Sequence, residues 1–373
     1  EVLELQRQGA EVTVFSIRRR EGEPPQEWDD RIVSRVHYVP GEAELVREIE
    51  RAQRRRELPP EAQRAMREWG RQSDFLRLYQ AAYVGSRLQQ LNIHRLHVHF
   101  AGMAARTAWW TRRFFGIEYS VTAHANDIFA PRKFVVSLEK AFDAARAIVT
   151  VSDFAVQQLQ ARFPGAAMKV HRVYNGIDLD AFRVASFDSR PPLIVSVGRL
   201  IEKKGFADLI SACAILKTRG VAFRCEIIGE GPLQHALAAQ ITSADLADEV
   251  QLLGPRSQRE IAEQLAAANL FALPCTREAD GGMDNLPTVI MEAMAAGLPV
   301  ISTPLAGVPE MVQAGASGEL VPERDPAALA HAIQQQLENP EHARVLGARG
   351  REIAAEKFSL EANVRALAEI LAG

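Results

Sequence analysis

Three cysteines in 373 residues (Cys213, Cys225 and Cys275) are scattered, odd in number and without metal-ligand spacing. That excludes a disulfide scaffold and a cysteine-based zinc site, and it fits core thiols in a reducing, cytoplasmic compartment. No apolar run reaches the ~20 residues that a bilayer-spanning helix needs. The formal net charge is only −3, so bulk electrostatics does not favour nucleic acid as a partner. Internal repeats and low-complexity tracts are also missing, which removes solenoids and tethers from consideration. No signal peptide is visible, and the chain opens on Glu1 rather than methionine. "EVLELQRQGAEVTVFSI" reads as the end of a helix, a glycine stop and a strand. A strand ahead of that helix is expected to be missing, so the absence of a targeting segment carries no weight.

What remains is a globular chain, 47% hydrophobic and too long for one ordinary core. Short β-branched runs alternate with helical stretches: "EVTVFSI", "HRLHVHF", "YSVTAH", "AIVTVS", "KVHRVYN", then "PLIVSVG", "RCEIIG", "VQLLG", "LFALP" and "PVISTP". That alternation predicts an α/β chain with parallel sheets. The series restarts after "VYNGIDLDAFRVASFDSRPP", a turn-rich interruption with Asn-Gly and Pro-Pro. The expected division is a first domain over 1–177, a linker over 178–192, a second domain over 193–354 and a tail over 355–373. Two doubly wound domains facing each other would gather their strand C-termini, and so their ligand sites, around one cleft. Residues 18–90 stand apart, with "RRREGEPP", "ERAQRRRELPPEAQRAMREWGRQ" and "FLRLYQAAYVGSRLQQL". Solvated helix faces are one reading of this Arg-rich stretch. The sharper one is a basic surface for an anionic acceptor or the inner membrane leaflet.

"DNLPTVIMEAMAAGLPVIST" (284–303) carries two acids eight positions apart, Asp284 outside a helix and Glu292 inside it. Pro287 suits the first helical position and Gly297 the stop. The N–H groups of Leu286, Thr288 and Val289 then face outward without partners, at the positive end of the helix dipole. That is an anion site. "SVGRLIEKKGFADLI" (196–210) supplies Arg199 and Lys204 at the end of the second domain's first strand, where open α/β sheets bind ligands. An arginine forks two phosphate oxygens and a lysine adds a mobile charge. Gly229 and Gly231 in "IIGEGPL", and Gly254 closing "VQLLG", sit at neighbouring strand ends. A lone Gly-x-Gly turn is weak evidence by itself. A carboxylate beside phosphate is better used on hydroxyls, Glu292 on a ribose diol and Asp284 on a sugar. Two acids next to a diphosphate pocket imply a nucleotide sugar.

These motifs resemble the retaining glycosyltransferases of family 4, also called group 1, over nearly the whole chain. The family signature is Glu, seven residues, Glu, then "AMAxGxPVI"; here it reads Asp284, seven residues, Glu292, then "AMAAGLPVIST". Asp284 in place of the first glutamate shortens that side chain by one methylene. "GVPEMV" (307–312) and "NGIDLDAF" (175–182) are also similar to the family. "VTAHANDIF" resembles the "TAHGxDI" segment of the exopolysaccharide, colanic-acid-type branch, with Ala125 for its glycine.

The resemblance implies a glycosyltransferase B architecture whose last helix crosses back to the first domain, with Ser359 as its cap and Val364, Leu367 and Ile370 on one face. It implies that Arg199 and Lys204 hold the donor diphosphate with the backbone near Leu286 and Pro287–Val289, that Glu292 holds the ribose, and that His124 faces the transferred sugar. His124, Asp284, Arg199 and Lys204 form the implied catalytic set. The donor would be a UDP- or GDP-sugar and the acceptor a glycan or lipid-linked intermediate, with peripheral inner-membrane contact and no cofactor. His97 and His99, two apart on one strand face, hint at metal, but no third ligand is evident and structure is favoured. The alternatives are a catalytically impaired nucleotide-sugar-binding homologue and a sugar-nucleotide epimerase, which would lack the "AMAxG" signature.

Overall fold

The computed structural model describes residues 1–18, 36–69, 75–129 and 135–373. Most of "RRREGEPP" and the "GRQ" of the second Arg-rich stretch lie outside the described residues. The chain forms two compact units. One comprises Glu1–Val151, Val156–Val173 and Val364–Gly373; the other comprises Ser152–Ala155 and Tyr174–Asn363.

In the first unit a four-stranded parallel sheet takes β3 (Arg95–His99), β4 (Glu118–Thr122), β5 (Ile148–Thr150) and β6 (Val170–Arg172) in chain order. The run "EVTVFSI" is strand only at β1 (Phe15–Ser16), paired in parallel with β2 (His37–Tyr38). Residues Tyr119–Thr122 of β4 are all buried, as expected of a parallel strand covered on both faces. Helices Phe75–Gln90 and Met103–Phe115 supply much of the cover, burying Leu78, Ala82 and Leu88 with Trp110 and Phe114. On the other side of the chain, Leu367 packs with Val149 and Val173, and Ile370 and Leu371 lie against them. That apolar stripe is why the last ten residues belong to this unit.

The second unit holds a six-stranded parallel sheet in the order β12-β11-β10-β7-β8-β9. Its strands are β7 (Leu193–Val197), β8 (Arg224–Ile228), β9 (Val250–Gly254), β10 (Leu270–Leu273), β11 (Val300–Ser302) and β12 (Gly318–Leu320). Every residue of β7 and β10 is buried. The chain runs outward from β7 through β9, then returns to lay β10 on β7's other side. β7 and β10 therefore flank the topological switch point of the sheet, the place where open α/β sheets bind ligands. Residues 178–192 pack along this unit: Ala185 N donates to Ala296 O at 2.8 Å, Ser186 N to Ala266 O at 3.0 Å, and Phe187 is buried. The fold class expected from the alternating runs, α/β with parallel doubly wound sheets, is the one observed. The three cysteines are buried thiols.

Candidate functional site

The loops leaving β7 and β10 are held against each other at the switch point. Thr276 N donates to Lys203 O at 3.0 Å. Gly205 has φ +68°, and a Cβ there would stand 1.8 Å from Pro274 O. Only glycine fits both the left-handed backbone and that approach. The short 3-10 turn Glu202–Lys204 then aims two ammonium groups at one carboxylate. Lys203 Nζ lies 3.1 Å from Asp284 Oδ1, and Lys204 Nζ 2.5 Å from Asp284 Oδ2. Burial alone would raise the Asp284 carboxyl, but the Lys204 and Lys203 charges outweigh it and hold it below the usual range. Asp284 is thus ionised, and the trio carries one net positive charge. Arg199 is exposed and forms no ion pair among the described residues.

Helix Thr288–Ala295 starts beside this trio. Pro287 is its N-cap, with ψ 112°, rather than its first helical residue, and no side chain caps it. Ile290 N bonds back to Pro287 O at 3.0 Å, while the N–H groups of Leu286, Thr288 and Val289 meet no acceptor among the described residues. The far end closes as expected: Gly297 has φ +68°, Gly297 N donates to Met294 O at 2.9 Å and Leu298 N to Ala293 O at 3.0 Å. Asn285 fixes the approach to the helix. Its Oδ1 accepts from Ser152 Oγ at 2.6 Å and its carbonyl from Gly307 N at 2.9 Å, all within the second unit. Its buried Nδ2 has no partner among the described residues. Glu292, one turn into the helix, is half-buried and makes no side-chain hydrogen bond or ion pair among the described residues. Burial pushes its carboxyl above the ordinary value.

The glycines at neighbouring strand ends are explained by backbone approach. A Cβ on Gly229 would meet Gly198 O at 2.0 Å, and one on Gly231 would meet Leu200 O at 2.5 Å. These positions press the loop after β8 onto the loop after β7. Gly254, φ +71°, accepts from Gly229 N at 2.9 Å. Reasoning from the sequence missed Lys203 and Asn285. Lys203 stands in the same "KKG" as Lys204, but adjacency alone does not say that both reach one acid.

The first unit carries a separate cluster at the C-terminal ends of β3 and β4. His99 Nε2 lies 3.0 Å from Glu1 Oε1, and His99 Nδ1 lies 3.4 Å from His124 Nε2. The His99 and His124 rings stack at 5.7 Å. His97 shares His99's face of β3, and its ring nitrogens lie 2.8 Å from Ser120 Oγ and 2.9 Å from Thr122 Oγ1. Burial, helped by the proximity of the His99 ring, lowers His97 to about 4. The same two causes lower His124. Both are neutral at pH 7. Asp127 Oδ2 pins the strand ends, accepting from Ala101 N at 2.9 Å and His124 N at 3.0 Å. The fold does supply the third metal-type ligand that the sequence left out: donor atoms of Glu1, His97 and His99 lie within 4.8 Å of one another. Because both His97 nitrogens are already engaged by hydroxyls, the cluster is organised as a hydrogen-bonded chain.

Two family models match the chain in succession. Glycosyltransferase Family 4 matches residues 2–181, and Glycosyl transferases group 1 matches residues 179–353. The putative colanic acid biosynthesis glycosyltransferase WcaL of Escherichia coli is 42% identical over 200 residues, 52% of this chain and 49% of that protein. The amylovoran biosynthesis glycosyltransferase AmsK of Erwinia amylovora is 41% identical over 210 residues, 55% of this chain and 51% of that protein. The chain thus spans about half the length of the curated relatives it matches. Among solved structures, sucrose-phosphate synthase of Thermosynechococcus elongatus matches with TM-score 0.68 at 22% identity, over 80% of this chain and 77% of that one. HepE of Anabaena, in complex with UDP, matches with TM-score 0.66 at 22% identity, over 79% of this chain and 83% of that one.

Proposed function

This chain belongs to the glycosyltransferases of family 4 and group 1, and on that footing we propose that it moves a sugar from a nucleoside diphosphate sugar to a glycan or lipid-linked acceptor in exopolysaccharide biosynthesis. One observation carries the proposal. At a single switch point stand Arg199, the Lys203/Lys204 pair, an uncapped helix N-terminus and a partly buried carboxyl, Glu292, that has no partner among the described residues. Cations and free N–H groups suit the diphosphate, and a partnerless carboxyl suits a ribose diol.

The demanding step is departure of the nucleoside diphosphate from the anomeric carbon. Arg199, Lys204 and the helix end meet charge that grows on the leaving oxygen, which is stabilisation of the transition state. Fixed cations in these places make a divalent metal unnecessary. We propose transfer with retention by front-face attack, the departing phosphate accepting the acceptor's proton. Asp284 orients both the lysines and the transferred sugar's hydroxyls, and His124, neutral, is on the first unit an acceptor for a sugar hydroxyl.

UDP is the nucleotide in the HepE complex, and mycobacterial relatives at 30% identity are named GDP-mannose-dependent. A thermal-shift panel of UDP- and GDP-sugars, followed by product release from the radiolabelled donor that binds, tests the function. No shift with any nucleotide sugar would end it. Among the described residues no helix is long and apolar enough to cross a membrane. Residues 42–68 carry seven arginines and seven glutamates, so this stretch offers no net positive charge to an anionic leaflet. We therefore propose membrane contact only through a lipid-linked acceptor.

A further inference from the structure

Phe100, just past β3, adopts a conformation that phenylalanine avoids. Its φ is +71°, in the left-handed region, where a bulky side chain is a true outlier. Its N–H nevertheless keeps the sheet ladder, donating to Thr122 O at 2.9 Å. The ring gains little from the fold in return, being 57% exposed. A strained backbone and a solvated aromatic ring are two costs with no folding benefit to offset them, the pattern found at functional sites.

The surroundings are fixed and polar. Phe100 lies against His124, ring centroids 4.6 Å apart and tilted by 40°. Asp127 holds the backbone on both sides of the pair. A Glu1 carboxylate 3.0 Å from His99 Nε2 selects the tautomer that donates from Nε2–H, and in that tautomer His99 Nδ1 is left to accept from His124 Nε2–H. In that arrangement His124 Nδ1 is an acceptor with no partner among the described residues, and the exposed Glu1 is another. The whole group stands at the C-terminal ends of neighbouring parallel strands, the ligand-binding edge of such a sheet.

We propose that Phe100 is the stacking platform of a pyranose subsite on the first unit, with Glu1, His99 and His124 as its polar rim. A pyranose has one C–H face for an aromatic ring and a belt of hydroxyls for acceptors around it. A lipid chain would call for a wider apolar surface than a single ring, and the Glu1 charge repels a phosphate. The inference rests on the proposed sugar transfer. The pyranose is either the acceptor's or the transferred sugar of the donor, and the experiment separates these.

Saturation-transfer difference NMR on the full chain, with methyl α-glucoside, methyl α-galactoside, methyl α-mannoside and UDP-glucose as probes, reads the contact directly. Transfer to one C–H face of a pyranose should fall about tenfold in Phe100→Gly and Phe100→Leu, the loss of one aromatic contact, and survive in Phe100→Trp. Loss confined to the free glycosides assigns the acceptor; loss confined to the glucose of UDP-glucose assigns the donor. UDP affinity by calorimetry should be unchanged in all three variants, so failure of wild type to bind UDP counts against the transfer reading and not against the platform. Phe100→Gly should also melt no lower than wild type, because it releases the left-handed backbone. Pyranose contacts that persist in Phe100→Gly, contacts to no pyranose in wild type, or a lowered Tm in Phe100→Gly would each overturn the proposal.

Discussion

Lys204 Nζ lies 2.5 Å from Asp284 Oδ2, so the lysine proposed to hold the diphosphate is paired with an acid. The side chains are only 13% and 15% exposed, so the pair is poorly screened by water. Phosphate and Asp284 then compete for the same ammonium. Asp284→Asn removes the competitor, and calorimetry should find UDP affinity kept or raised while sugar transfer falls. Asp284→Glu restores the family's usual residue and should retain transfer. Lys204→Ala alone should destabilise by about 1–3 kcal/mol, the range for an under-satisfied buried group, and much of that should return in Lys204→Ala/Asp284→Asn. Abolished UDP binding in Asp284→Asn would show that the acid, rather than the cations, seats the nucleotide.

Glu292 should display the opposite trade. Its carboxyl is raised by burial with no compensating partner among the described residues, so ionising it weakens the fold as pH rises through its folded pKa. Glu292→Gln removes that penalty and should melt higher than wild type at pH 8, with the advantage vanishing in acid. The same substitution should weaken UDP and donor binding alike, since both contain the ribose. Lower stability together with unchanged UDP affinity would assign Glu292 a purely structural role.

His97 gives a second pH signature. Its folded pKa is about 4 against an ordinary 6.5, chiefly because burial disfavours the imidazolium. The unfolded chain binds more protons between those values, so this contribution to stability is complete above about 6.5 and is lost as pH falls toward 4. The full contribution is roughly 3 kcal/mol. Denaturant titrations from pH 7 to 4 should steepen accordingly, and His97→Asn should flatten the curve. An unchanged slope in that variant would place the acid sensitivity elsewhere.

Transfer should survive excess chelator on the proposal that fixed cations and a helix end neutralise the leaving group. Activity lost in chelator and restored by magnesium or manganese would mean the diphosphate seat is incomplete without a metal.

The sheets were legible because strands covered on both faces must be apolar throughout. β7 and β10 are continuous buried runs, and "LIVSV" and "LFAL" announce them. β12 and β2 escaped notice because "GEL" and "HY" are too short for any period to register. Pro287 fell one place from its expected position, since an N-cap and a first helical residue look alike in sequence. The loop after β7 could be located because it follows the second domain's first strand, but the pairing of Asp284 with both lysines depends on a 3-10 turn that no pattern spells out. The Glu1–His99 contact joins residues 98 apart in the chain, and only the folded sheet brings them together.

Calorimetry of UDP with wild type, Arg199→Ala and Lys204→Ala tests the central claim that the β7 loop seats a nucleoside diphosphate. Each variant should bind about 1.5–3 kcal/mol more weakly, the worth of a charged hydrogen bond. Unchanged affinity in both would contradict the account.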